Sequence, residues 1–180
     1  AAQYVYDLSN FSDQYLKDRA LFLQGYLDGM HTENVSLLNV NGGLDIFSRV
    51  NPGDPLYIRD LQNSIDVTNF VASPFATRIV FGSENGDLIV PGYGNGSNRF
   101  YGGGGNDTLE GGIGDDYLEG NDGDDILRGG GGNDVLIGGI GNDTYEFTGQ
   151  FGRDTIFDSD GLGSIIIDGT ALGAFSLTEG

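Results

Sequence analysis

The sequence predicts a mainly β fold, a parallel β-roll that follows an N-terminal mixed α/β cap. Residues 93–146 repeat with a period of nine, which is the signature of a stacked repeat architecture. The stretch "GGGGNDTLEGGIGDDYLEGNDGDDILRGG" is more than a third glycine and carries eight carboxylates against one arginine, so an ordinary apolar core cannot be built from it. Residues 1–80 have instead the aliphatic, aromatic and basic residues of a globular unit.

Composition excludes several classes of protein. The 180 residues carry a net charge of −19, which argues against nucleic acid or an anionic membrane as partner. There is no cysteine, so disulfides and thiolate metal sites are excluded. No apolar run approaches the about 18 residues that a transmembrane helix needs. The start "AAQYVYDLSN" has neither the pattern of a secretory signal nor a Met, and we interpret the chain as a piece of a larger protein.

The N-terminal elements follow from local patterns. Ser12 is the expected N-cap of a helix over "DQYLKDRALFLQGYL", where apolar residues recur at helical spacing, and Gly29 stands near its expected end. The segments "VSLLNV" and "DIFSRV" are predicted as strands around a turn, and "NPGDP" as a loop. A short helix is predicted for "LYIRDLQNSI", and a strand for "ATRIVF". Together they form the predicted cap of residues 1–80.

The repeat consists of six units in unbroken register from residue 93 to residue 146. The sixth place of the unit is acidic or amide, and the eighth place is apolar. The sixth places are Asn98, Asp107, Asp116, Asp125, Asp134 and Asp143, and the eighth places are Phe100, Leu109, Leu118, Leu127, Leu136 and Tyr145. Degenerate units at 82–90 and 149–157 flank the array, each two residues out of phase.

The unit has a direct physical reading. Glycine at places one, two and four permits the positive φ angles of a tight turn, and three residues remain for a short strand whose middle side chain points inward. Each unit makes half a coil, so units 18 residues apart stack and their sixth places form two carboxylate columns. At a spacing of about 4.8 Å two such charges repel by about 1 kcal/mol in water and about 3.5 kcal/mol at an effective dielectric constant of 20. A cation between them is therefore expected. Asp143 ends its column, with a repeat neighbour on one side only.

The chemistry of the available ligands favours calcium. All of them are oxygens, from carboxylates and from the carbonyls of glycine-rich turns, and His31, the only histidine, is far away in sequence. This argues against zinc and softer metals. A flexible cage of oxygen ligands suits Ca²⁺, whereas Mg²⁺ demands tighter octahedral geometry.

The array resembles the RTX (repeat-in-toxin) nonapeptide G-G-x-G-x-D-x-U-x, a β-helix repeat that binds Ca²⁺. The resemblance implies about four to six calcium ions held by the sixth-place side chains and the turn glycines. It implies as ligand residues Asp87, Asn98, Gly102, Gly103, Gly105, Asp107, Gly111, Gly112, Gly114, Asp116, Gly120, Asn121, Gly123, Asp125, Gly129, Gly130, Gly132, Asp134, Gly138, Gly139, Gly141, Asp143 and Asp154. It further implies a larger polypeptide that leaves a Gram-negative bacterium by type I secretion and folds outside, where calcium is plentiful.

Two other functions stay open at this stage. The chain could be the C-terminal piece of an RTX lipase or phospholipase with His31 as a catalytic histidine, although it contains no G-x-S-x-G and no H-E-x-x-H motif. It could also be a toxin or adhesin segment that binds a host surface. We expect no enzyme activity from the isolated chain.

The predicted domains are the cap at 1–80, the roll at 81–158 and a flanking strand region at 159–180. The outward aliphatic residues Val135 and Ile137 predict that non-repeat chain covers one face of the roll. The run "SIIID" is the favoured cover, and the N-terminal helix is the alternative.

Overall fold

The computed structural model describes residues 12–30, 56–68, 77–91 and 96–174. They form one helix, α1 (Asp13–Met30), and thirteen strands. The strands are β1 (Leu56–Asp60), β2 (Ile65–Thr68), β3 (Thr77–Phe81), β4 (Leu88–Ile89), β5 (Arg99–Gly104), β6 (Thr108–Ile113), β7 (Tyr117–Asp122), β8 (Ile126–Gly131), β9 (Val135–Ile140), β10 (Thr144–Phe147), β11 (Thr155–Phe157), β12 (Ser164–Ile167) and β13 (Thr170–Ala174). Among the described residues no helix is both long and apolar enough to span a membrane.

The strands wind into a parallel β-solenoid of about five turns, which confirms the predicted β-roll. Sheet A has the order β11-β9-β7-β5-β3-β1-β2, and sheet B has the order β13-β12-β10-β8-β6-β4. Within the repeats consecutive strands alternate between the sheets. Strands of one sheet stack in parallel at an offset of 18 residues, as Leu118 beside Leu136 shows. The half-coil per unit is therefore confirmed.

The core is one row of side chains from each sheet. The eighth-place residues from Phe100 to Tyr145 are at most 1% exposed, and they form a single cluster with Val80, Ile89 and Phe147. Each short strand directs its middle residue inward, so a unit contributes one side chain to the core. The predicted direction of the eighth place is confirmed.

The flanking units join the roll despite their shifted phase. Strand β4 stacks on β6 with Leu88 beside Thr108, and β11 stacks on β9 with Thr155 beside Val135, an offset of 20 residues in both cases.

The run "SIIID" does not cover a face, so the favoured cover was wrong. It forms β12, which lies parallel to β10 and extends sheet B, because an open parallel edge offers backbone hydrogen bonds to the next segment of chain.

The N-terminal region contains two confirmed predictions and one wrong prediction. The strand predicted for "ATRIVF" is β3. Helix α1 begins after Ser12, whose Oγ accepts a hydrogen bond from the backbone amide of Tyr15 (3.0 Å). The predicted helix at 56–65 is instead the hairpin of β1 and β2. Asp60 holds the turn by accepting hydrogen bonds from the backbone and side-chain amides of Asn63, and β1 pairs in parallel with β3. Edge pairing with the roll thus overrides the local pattern. The segments "VSLLNV", "DIFSRV" and "NPGDP" lie outside the described residues.

Helix α1 lies across the outer face of sheet A. Its N-terminal end reaches β7, where the Ser12 hydroxyl donates to Glu119 (2.6 Å), and Tyr15 packs edge-on against Phe81 and Tyr101. Further along the helix, Arg19 forms an ion pair with Asp60 of β1 (2.7 Å). Helix α1 thus covers sheet A at β3, β5 and β7, and its predicted cover of Val135 and Ile137 on β9 stays a prediction. The division of the chain at residue 80 stays a prediction.

We expect Asp18→Ala to weaken the docking of α1. Asp18 is buried and accepts hydrogen bonds from Arg99 Nε (2.6 Å) and Nη2 (3.0 Å) and from the Tyr101 hydroxyl (2.7 Å). Its removal leaves a guanidinium and a buried hydroxyl without their acceptor, at a cost of about 2–3 kcal/mol. Denaturant unfolding at saturating calcium measures this loss. Lys17→Ala, at the exposed neighbouring position, is the control, and equal unfolding free energies for the two variants would contradict the docking role of Asp18.

Candidate metal-binding columns

Two columns of sixth-place side chains run along opposite edges of the roll. The first contains Asp107, Asp125 and Asp143 in the turns before β6, β8 and β10, and Asp87 stands in front of them. The second contains Asn98, Asp116 and Asp134 in the turns before β5, β7 and β9, and Asp154 follows them. The six residues of the full repeats are at most 2% exposed, which is unusual for carboxylates.

One carboxylate oxygen of each aspartate is used for stacking. In the first column, the backbone amide of Asp107 donates to Oδ1 of Asp125 (2.7 Å), and that of Asp125 donates to Oδ1 of Asp143 (3.0 Å). The second column repeats this contact, since the amide of Asp116 donates to Oδ1 of Asp134 (2.8 Å). The degenerate units make the same contact. The backbone amide of Asp87 donates to Oδ1 of Asp107 (2.6 Å), and that of Asp134 donates to Oδ1 of Asp154 (2.9 Å). Each Oδ1 therefore joins a turn to the next one.

The second carboxylate oxygen is buried and has no hydrogen-bond donor. This holds for Oδ2 of Asp107, Asp116, Asp125, Asp134, Asp143 and Asp154, and for Oδ1 of Asn98. Asp87 differs, because its Oδ2 accepts hydrogen bonds from the backbone amide and the hydroxyl of Ser83 (2.7 and 2.9 Å). A buried anionic oxygen without a partner is strongly unfavourable, so these atoms fit a bound cation.

The first-place glycines bring backbone oxygens to the same points. A Cβ built on Gly102 would collide with Oδ2 of Asp107 and would lie 2.6 Å from the carbonyl oxygen of Gly120. Gly111 repeats this arrangement with Oδ2 of Asp116 and the carbonyl oxygen of Gly129. At these points one carboxylate oxygen and one carbonyl oxygen converge in the interval between a rung and the next rung of the same sheet, a mixture of ligands typical of Ca²⁺.

The structure corrects the role that the sequence analysis gave to the first-place glycines. Positive φ angles occur at places two and four, as at Gly112 (112°) and Gly114 (148°), and Asn121 takes the second place with a φ of 78°. The described first-place glycines have no positive φ. Glycine is needed there because a side chain would occupy the space in front of the carboxylate. The sequence analysis attributed all three places to backbone conformation and was wrong for this one.

Burial raises the pKa of the column carboxylates. It raises the pKa of Asp107, Asp116 and Asp143 to about 7, and that of Asp125 and Asp134 to about 6. Backbone hydrogen bonds oppose this effect, and neighbouring carboxylates add to it, as Asp125 does for Asp107. The metal-free columns therefore take up protons as the pH falls through about 7 to 6, well above the ordinary pKa of 3.8, because the roll alone accommodates these charges poorly.

The columns do not build a dense acidic cluster. Among the described residues no three His, Cys, Asp or Glu side chains come together as a metal-binding group. Each interval combines few carboxylates with backbone carbonyl oxygens, so the site is distributed along the roll. His31 lies outside the described residues.

A ladder at the fifth place was missed by the sequence analysis. The backbone amide of Asn142 donates to Oδ1 of Asp124 (2.8 Å), and that of Asn133 donates to Oδ1 of Asp115 (2.8 Å). These side chains are exposed and brace adjacent turns outside the columns. The signal was present, because the fifth place is Asn or Asp in each of the five units from 102 to 146.

Comparison with known proteins identifies the repeat. Residues 93–127 and 110–145 match the family model described as the RTX calcium-binding nonapeptide repeat (4 copies). The matched residues contain the sixth places from Asn98 to Asp143. Searches among curated proteins and among solved structures found no match.

We expect Gly102→Ala to impair metal binding, because the new methyl group would push against Asp107 Oδ2 and the Gly120 carbonyl oxygen. Overpacking of this kind costs about 1–3 kcal/mol. Gly104→Ala is the matched control, since it meets only the end of the Glu84 side chain, at 3.1 Å, at a position without positive φ. Calcium titration followed by thermal unfolding compares the two. Equal calcium affinities would show that the first place needs no free space.

We also expect acid to stabilise the calcium-free roll. A carboxyl group whose folded pKa is raised stabilises the fold below its ordinary value of 3.8, and this contribution is lost as the pH rises through about 6 to 7. Circular dichroism in chelator should show more strand at about pH 5 than at about pH 7.5.

The control for this experiment distinguishes the effect of the column carboxylates from the effect of net charge. Asp125→Asn should reduce the pH dependence. Asp124→Asn, at an exposed carboxyl whose pKa is lowered by the Asn142 amides, should preserve it. The same reduction in both variants would assign the effect to net charge.

Proposed function

Since the repeat array at residues 93–145 belongs to the RTX calcium-binding nonapeptide repeat family, we propose that this chain is the calcium-dependent folding segment of a larger secreted bacterial protein. It is a calcium-binding β-roll. The observation that carries the proposal is the set of buried Oδ2 atoms that lack a donor, three of which, in Asp107, Asp116 and Asp125, lie beside a glycine position that a carbonyl oxygen of the next rung also approaches.

The proposed ligands are the oxygens that converge in the intervals. They are the Oδ2 atoms of the sixth-place aspartates and the carbonyl oxygens of first-place glycines such as Gly120 and Gly129. The carbonyls of the second- and fourth-place glycines stay predicted ligands. Bound calcium supplies the positive charge that the columns lack. The protein orients the carboxylates through the Oδ1 ladder and keeps the intervals free of side chains through the first-place glycines.

The number of intervals limits the number of ions. Each column has four members and therefore three intervals, six in the two columns together. Two of them are weaker candidates, because Asn98 is neutral and Asp87 already accepts two hydrogen bonds from Ser83. We therefore propose four to six calcium ions.

The dependence on calcium gives the segment a role in export. Where calcium is scarce, the column carboxylates repel one another and keep the array unfolded, as passage through a type I secretion channel requires. Where calcium is plentiful, the binding free energy becomes folding free energy. The net charge of −19 opposes compaction without a cation and supports this role.

Circular dichroism of the full 180-residue chain tests the proposal. In chelator at neutral pH we expect little strand signal from the roll, and calcium should restore it cooperatively. Magnesium should fail at the same concentration, because it keeps its waters and demands octahedral geometry. A strand-rich spectrum that chelator leaves unchanged would refute the proposal.

A pair of neighbouring variants locates the effect in the columns. Asp116→Asn should raise the calcium midpoint by at least about tenfold, the usual lower bound for damage near a metal. Asp115→Asn removes the same charge one residue earlier, at an exposed fifth place whose Oδ1 can still accept the Asn133 amide (2.8 Å). Its midpoint should remain close to that of the unchanged chain. Equal shifts for the two variants would contradict the assignment to Asp116.

A further inference from the structure

In the rung that ends with β12, aspartate and glycine have exchanged the places that they occupy in the repeats. The first place is aspartate and the sixth place is glycine. Strand β12 stacks on β10 with Ser164 beside Thr144, and the Ser164 amide donates to the carbonyl oxygen of Asp143 (2.7 Å). Gly163 therefore stands at the sixth place, which is aspartate in the three preceding rungs of this column. By the same register Asp158 stands at the first place, where those rungs have glycine.

The Asp158 carboxylate occupies the region where the sixth-place carboxylate would lie. A Cβ built on Gly163 would collide with Oδ2 of Asp158. The repeats have the same contact between a first-place glycine and a sixth-place carboxylate, whereas here the glycine is at the sixth place and the carboxylate at the first. Oδ1 of Asp158 accepts a hydrogen bond from the Gly161 amide (2.8 Å), and Oδ2 accepts one from the Tyr145 hydroxyl (3.2 Å). Asp143 thus has a carboxylate neighbour on both sides, which sequence stacking alone did not predict.

The interval between Asp143 and Asp158 has the features of the intervals before it. Asp143 is 1% exposed, and its Oδ2 is buried without a donor. A Cβ built on Gly138 would collide with this Oδ2 and with the Tyr145 hydroxyl. At Gly102 and Gly120 the second atom is instead the carbonyl oxygen of the next rung. Tyr145 is the only tyrosine at an eighth place of the repeat, so its hydroxyl stands where a carbonyl oxygen is otherwise found.

We propose that Asp143, Asp158 and the Tyr145 hydroxyl hold a further calcium ion that closes the first column against the loop of residues 158–163. Two carboxylates and a hydroxyl are hard oxygen ligands of the kind that Ca²⁺ takes. The proposal rests on the proposed function, because it adds one interval to a calcium-binding column. It makes the loop and β12 part of the metal-dependent structure.

Asp160 provides a matched control within the same loop. Its Oδ2 accepts a hydrogen bond from the Gly141 amide (2.9 Å), and its Oδ1 accepts one from the Leu162 amide (3.0 Å). Asp160 is exposed and braces the loop against the preceding turn, whereas Asp158 is partly buried and its Oδ2 contacts the Tyr145 hydroxyl in the column. Asp158→Asn and Asp160→Asn therefore remove the same charge two residues apart, and only the first removes a proposed ligand.

Equilibrium dialysis of the full chain at saturating calcium counts the bound ions. Asp158→Asn should bind one ion fewer than the unchanged chain, and Asp160→Asn should bind the same number. Far-ultraviolet circular dichroism in calcium verifies that the roll is formed in each variant. Terbium luminescence gives a second readout, because Tb³⁺ occupies oxygen sites and is sensitised by nearby tyrosine, and the chain has no tryptophan. Tyr145→Phe keeps the buried ring, and both Tyr145→Phe and Asp158→Asn should lose the same part of this emission.

The outcomes separate this inference from the function on which it rests. An unchanged ion count and unchanged emission in Asp158→Asn would overturn it, and the Tyr145 to Asp158 hydrogen bond would then close the column without a metal. Loss of an ion in both Asp158→Asn and Asp160→Asn would also overturn it, since the shape of the loop would be responsible. If the unchanged chain bound no calcium at all, the proposed function itself would fail.

Discussion

The structure depends on buried carboxylates that are stacked in columns, each with one oxygen that lacks a hydrogen-bond donor. Each column aspartate uses Oδ1 to join its turn to the next one, and this same contact directs Oδ2 into the interval between rungs. Stability of the turn and accumulation of negative charge are therefore produced by one side chain. A divalent cation satisfies both, because it attracts neighbouring carboxylates and replaces the missing donors.

The remaining features of the repeat follow from this constraint. The first place must be glycine so that the interval stays open, and the second and fourth places turn the chain sharply enough to return it to the sheet. Only one side chain per unit enters the core, so the apolar row from Phe100 to Tyr145 is thin compared with a globular core. Such a row does not compensate for the conformational entropy of a glycine-rich chain, which is the reason for our proposal that the array folds with its metal.

The cap adds a conventional apolar contact at one end of the roll. Phe81 and Tyr101 stack with their ring centroids 5.2 Å apart, and α1 covers them with Tyr15 and Phe22. The helix also contacts β5 and β7, which belong to the repeats, through Asp18 and Ser12. The surface on which α1 docks is therefore complete only when the repeats are folded, and this couples the cap to the folding of the repeats.

Features that repeat were predictable from the sequence, and features that occur once were not. The nine-residue period determines which residues share a face, so the inward leucines and both columns could be predicted from spacing alone. The β1–β2 hairpin could not, because its strands are stabilised by pairing with β3 rather than by a local pattern. Asp158 could not be recognised either, since it reaches the column only through the 20-residue offset of β11 on β9.

Hydrogen exchange of the column amides tests the central claim most directly. The backbone amides of Asp107, Asp116, Asp125 and Asp134 donate to the Oδ1 atom of the next rung, so their protection reports the stacked carboxylates themselves. Mass spectrometry of peptides from residues 102–146 at neutral pH compares the calcium-loaded and the chelated chain. The account predicts strong protection in calcium and loss of that protection in chelator. Protection that persists in chelator would show that the columns hold together without a cation, and would contradict it.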